Sequence, residues 1–285
     1  MTETQPLRQL TVFGFGLIGA SVALAAKQRW PELKITAIDR EEVIAHARAQ
    51  SIVQHGVNSD DERGRLAAFA QADLCVLASP LSALEQALPE ALSHCRLVTD
   101  CGSTKRSVVT VAQRHAARAR FVAGHPIAGK PTGSLAQADA QLFQGRPWIV
   151  CPAGSAADAV AEVEHFIRGL GAMPAQMGAD DHDKILALTS HVPQLLASTL
   201  MALADRAAVP ACAKGPGFDS STRIGGGSAD MWRDIFERNA DQVALSLDQL
   251  GAELARVARA LREKPPSVQV ALELLAQARK VRDKG

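Results

Sequence analysis

The stretch LTVFGFGLIG at residues 10–19 decides the fold, because an apolar run leads directly into a GxGxxG pattern. This order predicts a strand, a tight turn and the start of a helix, the context in which the pattern binds a dinucleotide. Gly14 suits the turn, Gly16 lets the backbone approach a pyrophosphate, and Gly19 permits close packing of the helix on the sheet. Backbone N–H groups at the start of the helix would hold the phosphates. The predicted cofactor loop consists of Gly14, Phe15, Gly16, Leu17, Ile18 and Gly19.

Three further positions are predicted to contact the same cofactor. Asp39 ends the next predicted strand, about 20 residues beyond the loop, where a carboxylate can accept hydrogen bonds from the ribose hydroxyls. This favours NAD, since a carboxylate would repel a 2′-phosphate, although Arg40 beside it leaves NADP possible. Ser79 and Pro80 follow an apolar run at 74–78 and are expected at the edge of the sheet where ligands of this fold bind.

The first half of the chain alternates short apolar runs with helix-like stretches, which predicts βαβ units around a parallel sheet. Strands are expected at residues 10–13, 35–39, 74–78, 97–100, 121–123 and 148–151, and helices at 18–29 and 156–170. The fold class is therefore α/β, with an N-terminal doubly wound Rossmann-type sheet. We expect this dinucleotide-binding domain to span residues 1–176.

After about residue 177 strand-like runs disappear and helical periodicity takes over, at residues 186–204, 240–261 and 268–281. Residues 177–285 are therefore expected to form an all-helical domain for substrate binding and dimerisation. One apolar stripe on the second helix suits either the core of the chain or a dimer seam. Its members are Val243, Leu247, Leu250, Leu254, Val257 and Leu261.

The composition limits the possible partners and the compartment. With 31 basic and 30 acidic residues the net charge is +1, so no global field favours nucleic acid or an anionic membrane. The first ten residues lack the features of a signal peptide, and no uncharged apolar run approaches the roughly 18 residues of a membrane span. Five scattered cysteines without metal-binding spacing suit a reducing compartment. A cytoplasmic enzyme without a metal site is expected.

Two segments end predicted strands at the edge where a substrate would bind. One is TDCGSTK at 99–105, which contains Ser103 and a lysine, Lys105, that could reach a cofactor phosphate. The other is AGHPIAG at 123–129, with His125 between a glycine and a proline. An unperturbed histidine pKa near 6.5 suits removal of an alcohol proton near neutral pH, so His125 is the predicted general base.

Taken together, these motifs resemble those of the prephenate dehydrogenase family, which includes arogenate and cyclohexadienyl dehydrogenases. The resemblance covers roughly residues 8 to 260. It rests on GFGLIG at 14–19, VTDCGSTK at 98–105, GHPIAG at 124–129, HD at 182–183, TSHVP at 189–193, DSSTRI at 219–224 and DMWRDI at 230–235.

The resemblance implies an oxidative decarboxylation in tyrosine biosynthesis. The hydroxyl group on ring carbon C4 would lose its proton to His125, and C4 itself would lose a hydride to NAD. Ser103 would hold the same hydroxyl group by a hydrogen bond. The oxidised ring is vinylogous to a β-keto acid, so the ring carboxylate leaves as CO2 and the product becomes aromatic. Alignment of hydride donor and acceptor would be the main task of the enzyme.

The resemblance also implies the residues that hold the substrate. Arg223 is the expected anchor for a carboxylate, because guanidinium offers a planar fork that stays charged. His191 is expected in the pocket, and Trp232 either walls it or belongs to the core. Many relatives that use prephenate have a second histidine where this chain has Gln194, a position associated with reading the substrate side chain. Since an amide both donates and accepts, Gln194 leaves prephenate and arogenate open.

Three other functions compete with this interpretation. A β-hydroxyacid dehydrogenase also joins a Rossmann domain to helices, but the lysine and asparagine pair of that pattern is absent from the sequence. A 4-amino-4-deoxyprephenate dehydrogenase of a specialised-metabolite pathway would retain the family chemistry. A non-catalytic NAD-binding sensor would not need Ser103, His125 and Arg223 together. The expected assembly is a homodimer through the helical domain.

Overall fold

A computed structural model of the chain describes residues 7–130 and 133–283. Residues 1–6, part of the segment searched above for signal-peptide features, lie outside the described part. An eight-stranded sheet with the order β3-β2-β1-β4-β5-β6-β7-β8 forms the centre of the first half. The strands are β1 Gln9–Phe13, β2 Lys34–Asp39, β3 His55–Asn58, β4 Leu74–Leu77, β5 Val98–Asp100, β6 Phe121–Pro126, β7 Pro147–Cys151 and β8 Met173–Gln176.

The six strands from β3 to β6 pair in parallel, whereas β7 pairs antiparallel with β6 and parallel with β8. All six predicted strands are present within a few residues of their expected bounds. The two edge strands, β3 and β8, were not predicted. Their sequences HGVN and MPAQ are partly exposed and lack the apolar run by which a buried strand is recognised.

Helices cover both faces of the sheet. Strand β4 shows why, because Leu74 and Val76 pack into one apolar cluster while Cys75 and Leu77 pack into the other. Helices α1, α2 and α6 contribute to the first cluster, and α3, α4 and α5 to the second. Their bounds are α1 Leu17–Arg29, α2 Glu41–Ala49, α3 Glu62–Gln71, α4 Leu81–His94, α5 Arg106–Gln113 and α6 Ala157–Gly169. The first half is thus a doubly wound α/β sheet of the Rossmann type.

The second half is helical, as predicted, but two of the three predicted helical stretches begin earlier than the sequence pattern indicated. The helices of this half are α7 Ala179–Leu186, α8 Val192–Arg206, α9 Pro216–Thr222, α10 Ala229–Leu261 and α11 Gln269–Arg282. A π-helical turn, Ala187–His191, joins α7 to α8. Helix α10 has non-helical backbone angles at Asn239, φ −130° and ψ 24°, so it bends there.

The apolar stripe on α10 is mostly not part of the core of this chain. Val243 is buried, but Leu247, Leu254 and Leu261 are 37%, 51% and 46% exposed. Helix α11 adds exposed apolar residues, among them Leu272 and Leu275 at 53% and 66%. Such a large apolar surface is typical of an interface between proteins.

By length and composition alone, the continuous helix Ala179–Arg206 is apolar enough to cross a membrane, with a mean hydropathy of 1.3 over its best window. The sequence-based expectation considered only uncharged runs and did not anticipate this. However, the helix carries His182 and Asp183, which are both fully buried against the sheet domain. Charged and polar groups buried against protein are typical of a packing helix in a folded domain.

Charged hydrogen bonds connect the helical half to the sheet. Arg238 on α10 forms two hydrogen bonds with Glu85 on α4, at 2.8 and 2.9 Å, and the Arg106 guanidinium on α5 binds the carboxylate of Asp241 on α10. These contacts join the two halves along α4 and α5, beside the ends of β4 and β5. The junction between the halves therefore lies at the carboxyl edge of the sheet, where this fold binds ligands.

Candidate active site

The glycine loop has the geometry that its sequence predicted. Gly14 adopts φ +91°, and a Cβ added there would overlap with the backbone nitrogen of Ser79. A Cβ at Gly19 would overlap with the carbonyl oxygen of Gly14. Neither position accepts a side chain, because the loop is pressed against the end of β4 and against the first turn of α1. Gly16 is less crowded, since its added Cβ would meet only the Gly133 carbonyl, at 3.4 Å.

Asp39 holds this loop in place from the end of β2. Its two carboxylate oxygens accept hydrogen bonds from the backbone N–H groups of Phe15, at 2.6 Å, and Arg40, at 2.7 Å. Each oxygen retains a further acceptor site for a ribose hydroxyl. The side chain of Arg40 is 71% exposed and pairs with Glu42 at 3.2 Å. The cradle formed by the glycines and Asp39 fits NAD, the cofactor predicted from the sequence.

The predicted catalytic residues lie on neighbouring segments at one sheet edge. Ser103 lies in the turn between β5 and α5, and His125 is the second-last residue of β6. Asp100 ties the two segments together, because its carboxylate accepts hydrogen bonds from the N–H groups of Gly102, at 2.8 Å, and Gly124, at 2.9 Å. No hydrogen bond joins Ser103 to His125 within the described residues.

Lys105 does not have the location expected of a phosphate ligand. Its side chain is fully buried, where it forms an ion pair with Asp100 and donates a hydrogen bond to the Gly124 carbonyl at 2.6 Å. The lysine therefore braces the turn of Ser103 against the strand of His125. Sequence reasoning missed this role, since a lysine in the first turn of a helix is usually solvated.

His125 is the first member of a hydrogen-bonded chain that reaches the helical half. Its Nδ1 lies 2.9 Å from Nε2 of His182 on α7. The Nδ1 of His182 lies 2.7 Å from the carboxylate of Asp183. That carboxylate accepts from the backbone N–H groups of Lys105 and Arg106, at 2.7 and 3.0 Å, at the start of α5. The dipeptide HD at 182–183 was noticed in the sequence, but no role was inferred for it.

Burial keeps the histidines of the site neutral, whereas hydrogen bonds keep the aspartate charged. Burial, with repulsion from His182, Lys105 and His191, lowers the pKa of His125 well below 6.5. Burial also lowers the pKa of His182. For Asp183 burial acts in the opposite direction, but hydrogen bonds from His182 and from two backbone N–H groups outweigh it, so the pKa is lowered. At neutral pH His125 is therefore unprotonated and able to accept a proton.

Asn239, at the bend of α10, connects this chain to the predicted substrate pocket. Its amide group donates to the Asp183 carbonyl at 2.8 Å and lies 3.3 Å from Nδ1 of His191, while its oxygen accepts from Arg106 at 2.9 Å. Nδ1 of His191 is therefore an acceptor, and the neutral ring carries its proton on Nε2. No signal in the sequence distinguished Asn239 from its neighbours on the helix.

The remaining pocket residues surround His191. Trp232 packs its ring edge to face against His191, with centroids 5.9 Å apart, and its indole nitrogen faces Gly227. A Cβ added to Gly227 would also come within 3.5 Å of the Gln194 amide. The structure thus brings His191, Trp232 and Gln194 together around one glycine turn, consistent with either suggested role of Trp232.

Three of the predicted site residues lie outside this hydrogen-bonded network: Arg223, Ser79 and Pro80. Arg223 is exposed at the end of α9, and its guanidinium has no ion-pair partner among the residues that the structure describes. No hydrogen bond or ion pair connects it to His125 in that same part of the chain. Ser79 and Pro80 follow β4 beside the glycine loop, as expected. Among the described residues no cluster of His, Cys, Asp and Glu could hold a metal ion.

We expect the stability of the protein to fall as the pH drops through the range in which His191 must be protonated. Burial lowers the pKa of His191 from 6.5 to about 4. Below pH 6.5 the unfolded chain binds a proton at His191, whereas the folded chain does so only near pH 4. The contribution of neutral His191 to the free energy of unfolding is therefore full above pH 6.5 and decreases below it. The loss amounts to up to about 1.4 kcal/mol per pH unit for one such group.

Urea denaturation between pH 7 and pH 5 tests this expectation. His191→Gln should show a shallower decrease than the wild-type protein, because the variant has no group to protonate at this site. Parallel pH dependences for the two proteins would contradict it.

Comparisons with known proteins point to one family. The family model for the nucleotide-binding domain of prephenate dehydrogenase matches residues 22–175, and the model for its dimerization domain matches residues 178–273. A prephenate dehydrogenase of Bacillus subtilis is 32% identical over 256 residues, which cover 86% of this chain and 67% of that protein. A cyclohexadienyl dehydrogenase of Zymomonas mobilis is 30% identical, with 89% and 88% covered.

Solved structures show the same fold. The crystal structure of prephenate dehydrogenase from A. aeolicus, in complex with hydroxyphenyl propionate and NAD+, superimposes with a TM-score of 0.87 at 23% identity. The similarity covers 99% of both chains, so the similarity in fold extends across the sheet and the helical half.

Proposed function

Because this chain belongs to the prephenate dehydrogenase family, we propose that it oxidatively decarboxylates prephenate, or the related arogenate, in tyrosine biosynthesis. It is an NAD-dependent oxidoreductase with a Rossmann-type domain followed by a helical domain. The observation that carries the proposal is the neutral His125 imidazole at the sheet edge, hydrogen-bonded on Nδ1 and without a hydrogen-bond partner on Nε2 among the described residues. The names of the relatives do not favour the 4-amino-4-deoxyprephenate alternative.

In this proposal His125 accepts the proton of the ring hydroxyl through Nε2. Since Nδ1 is occupied by His182, Nε2 is the nitrogen left for the substrate. Ser103 positions the same hydroxyl from the neighbouring turn, which Asp100 and Lys105 hold in place. Bound NAD supplies the acceptor for the hydride from C4. The backbone N–H groups of the glycine loop and the carboxylate of Asp39 hold it, with Arg40, Ser79 and Pro80 beside them.

The substrate carboxylates and side chain are recognised from the helical domain. Arg223 offers an exposed guanidinium for bidentate binding of a carboxylate. His191 presents Nε2–H as a donor, because Asn239 occupies its Nδ1. Gln194 and Trp232 complete the wall around Gly227. The Gln194 amide can form a hydrogen bond with a keto acid or with an ammonium group. The preference between prephenate and arogenate is therefore measured in the experiment described below.

We divide the chain into a dinucleotide-binding domain at residues 1–176 and a helical domain at residues 177–285. The end of one family match at residue 175 and the start of the next at 178 support this division. We also propose a cytoplasmic location. Similarity to biosynthetic dehydrogenases supports it, as do five free cysteines, which suit a reducing compartment.

We expect the protein to be a homodimer formed through the helical domain. The match to a dimerization domain supports this, as do the exposed leucines of α10 and α11. Analytical ultracentrifugation should give a particle of twice the 30.2 kDa chain. Leu254→Glu combined with Leu275→Glu should shift it towards monomer, because each places a charge in an apolar interface.

Gln71→Glu, which adds a charge on the exposed end of α3, serves as the matched control and should remain dimeric. A wild-type monomer at micromolar concentration would contradict the prediction. So would a double variant that sediments like the wild-type protein.

The proposed function is tested by following NADH formation with purified protein on prephenate, arogenate and 4-amino-4-deoxyprephenate, each with NAD and with NADP. We expect turnover on prephenate or arogenate with a preference for NAD, because Asp39 faces the ribose end of the cofactor site. Turnover on the amino compound alone would replace the proposed substrate. Absence of turnover on all three would reject the function while leaving the fold untouched.

A further inference from the structure

We propose that His182 and Asp183 are positioning residues for His125, which fix its tautomer so that Nε2 is the unprotonated nitrogen that faces the substrate. The inference deepens the proposed function and rests on His125 being its base. It is carried by three groups in one hydrogen-bonded chain, whose donors and acceptors allow only one arrangement of protons. The chain runs from the Asp183 carboxylate through both nitrogens of His182 to Nδ1 of His125.

The arrangement of protons begins at Asp183, which can only accept when ionised. Three fixed donors surround this buried carboxylate: the backbone N–H groups of Lys105 and Arg106, and the Arg106 guanidinium at 3.3 Å. These donors favour the ionised carboxylate, whose Oδ1 lies 2.7 Å from Nδ1 of His182. Because its environment consists of donors, Asp183 is the ionised end of the chain.

It follows that Nδ1 of His182 carries a hydrogen, which it donates to Asp183. In a neutral imidazole the other nitrogen is then an acceptor. Nε2 of His182 therefore accepts from Nδ1–H of His125 across 2.9 Å. In the neutral His125 ring this leaves the lone pair on Nε2, away from His182. The opposite tautomer would place two lone pairs, or two hydrogens, against each other in one of the two contacts.

The same contacts hold the rings as well as their protons. His182 and Asp183 are both fully buried, and the carboxylate caps the start of α5 while Arg106 binds Asp241 and Asn239 behind it. The His125 and His182 rings meet at 61°, with centroids 5.1 Å apart. An imidazole on the helical half thus sets the orientation of the base on the sheet. The two residues are separated by 57 positions in the sequence.

Asp183→Asn is the informative variant because it keeps the shape of the side chain. Its carbonyl oxygen, in the place of Oδ2, still accepts from both donors of Arg106, while its amide group, in the place of Oδ1, loses the bond from Lys105 and donates to Nδ1 of His182. That reverses both imidazoles, so His125 would carry its hydrogen on Nε2 and could not accept the substrate proton. We expect kcat to fall about 10²- to 10⁴-fold, the contribution of a general base, with KM and NAD binding little changed.

His182 is tested by a pair of replacements. His182→Leu removes the acceptor for Nδ1–H of His125 and should lower kcat strongly. His182→Gln restores a carbonyl oxygen near that hydrogen and should recover most of the loss. A role limited to packing predicts the reverse order of damage, because leucine fills a buried site with less desolvation cost than an amide.

The tautomer itself is measured by ¹⁵N NMR of labelled imidazoles, a readout independent of turnover. In the wild-type protein His125 should show hydrogen on Nδ1, and in Asp183→Asn on Nε2. Hydrogen on Nε2 of wild-type His125 would overturn the inference, as would a folded Asp183→Asn protein with kcat within threefold of the wild type. If the wild-type protein fails to turn over any substrate, the proposed function fails and the NMR result still decides the tautomer.

Discussion

Replacement of His125 by asparagine is expected to reduce kcat by about 10²- to 10⁴-fold, the contribution of a positioned general base. Asparagine has no lone pair of comparable basicity with which to accept the hydroxyl proton. NAD binding should persist, because the glycine loop and Asp39 lie on β1, α1 and β2, away from β6. Steady-state kinetics on the active substrate give kcat, and quenching of protein fluorescence by NADH gives cofactor affinity.

His165→Asn is the matched control, since this histidine is exposed on α6. It should leave both kcat and cofactor binding unchanged. The pH dependence adds a second test of the same residue. Because the pKa of His125 lies well below 6.5, the wild-type rate should stay level above that pH and fall only in more acidic solution. A variant that retains more than a third of wild-type kcat would exclude His125 as the base.

The second large effect is expected at Lys105, whose replacement by methionine should lower the free energy of unfolding by about 3–5 kcal/mol. Methionine resembles the lysine stem in size, but it leaves the Asp100 carboxylate buried without its counter-charge. The Gly124 carbonyl also loses its donor. Urea denaturation followed by circular dichroism measures the change.

Lys34→Met is the matched control, because Lys34 is exposed at the start of β2. Surface substitutions of this kind usually change stability by less than about 0.5 kcal/mol. Loss of activity in Lys105→Met beyond its loss of stability would further indicate that Asp100 and Lys105 position Ser103 and His125. A decrease below about 1 kcal/mol would mean that the buried ion pair is not needed for folding.

The parallel strands at the centre of the sheet were the most predictable part of the fold. A strand covered on both faces, such as LCVL in β4, must be apolar at every position, so its sequence is distinctive. The edge strands β3 and β8 face solvent and carry mixed residues, which leaves no such pattern. The antiparallel pairing of β7 also escaped prediction, since strand direction depends on how the chain crosses the sheet.

The sequence predicted site residues at the ends of strands but missed the roles of those on the helices. Local context predicted the glycine loop, Asp39 and His125 as site residues, because each follows a strand or ends one at the edge where ligands bind. It did not identify the role of His182, Asp183 or Asn239, which are ordinary helix residues in the sequence. Lys105 was considered either a contact of the cofactor phosphate or a solvated residue, whereas its side chain is fully buried.

The sequence by itself determined the fold class and predicted the cofactor loop and a histidine base, because each is a property of a strand and the turn that follows it. Tertiary structure alone decided how that base is held. His125 meets His182 across 57 positions, and Asn239 joins Asp183 across 56. The physical reason is that periodicity records which face of an element is buried, whereas a buried polar group is stabilised only by partners that folding brings to it from distant segments.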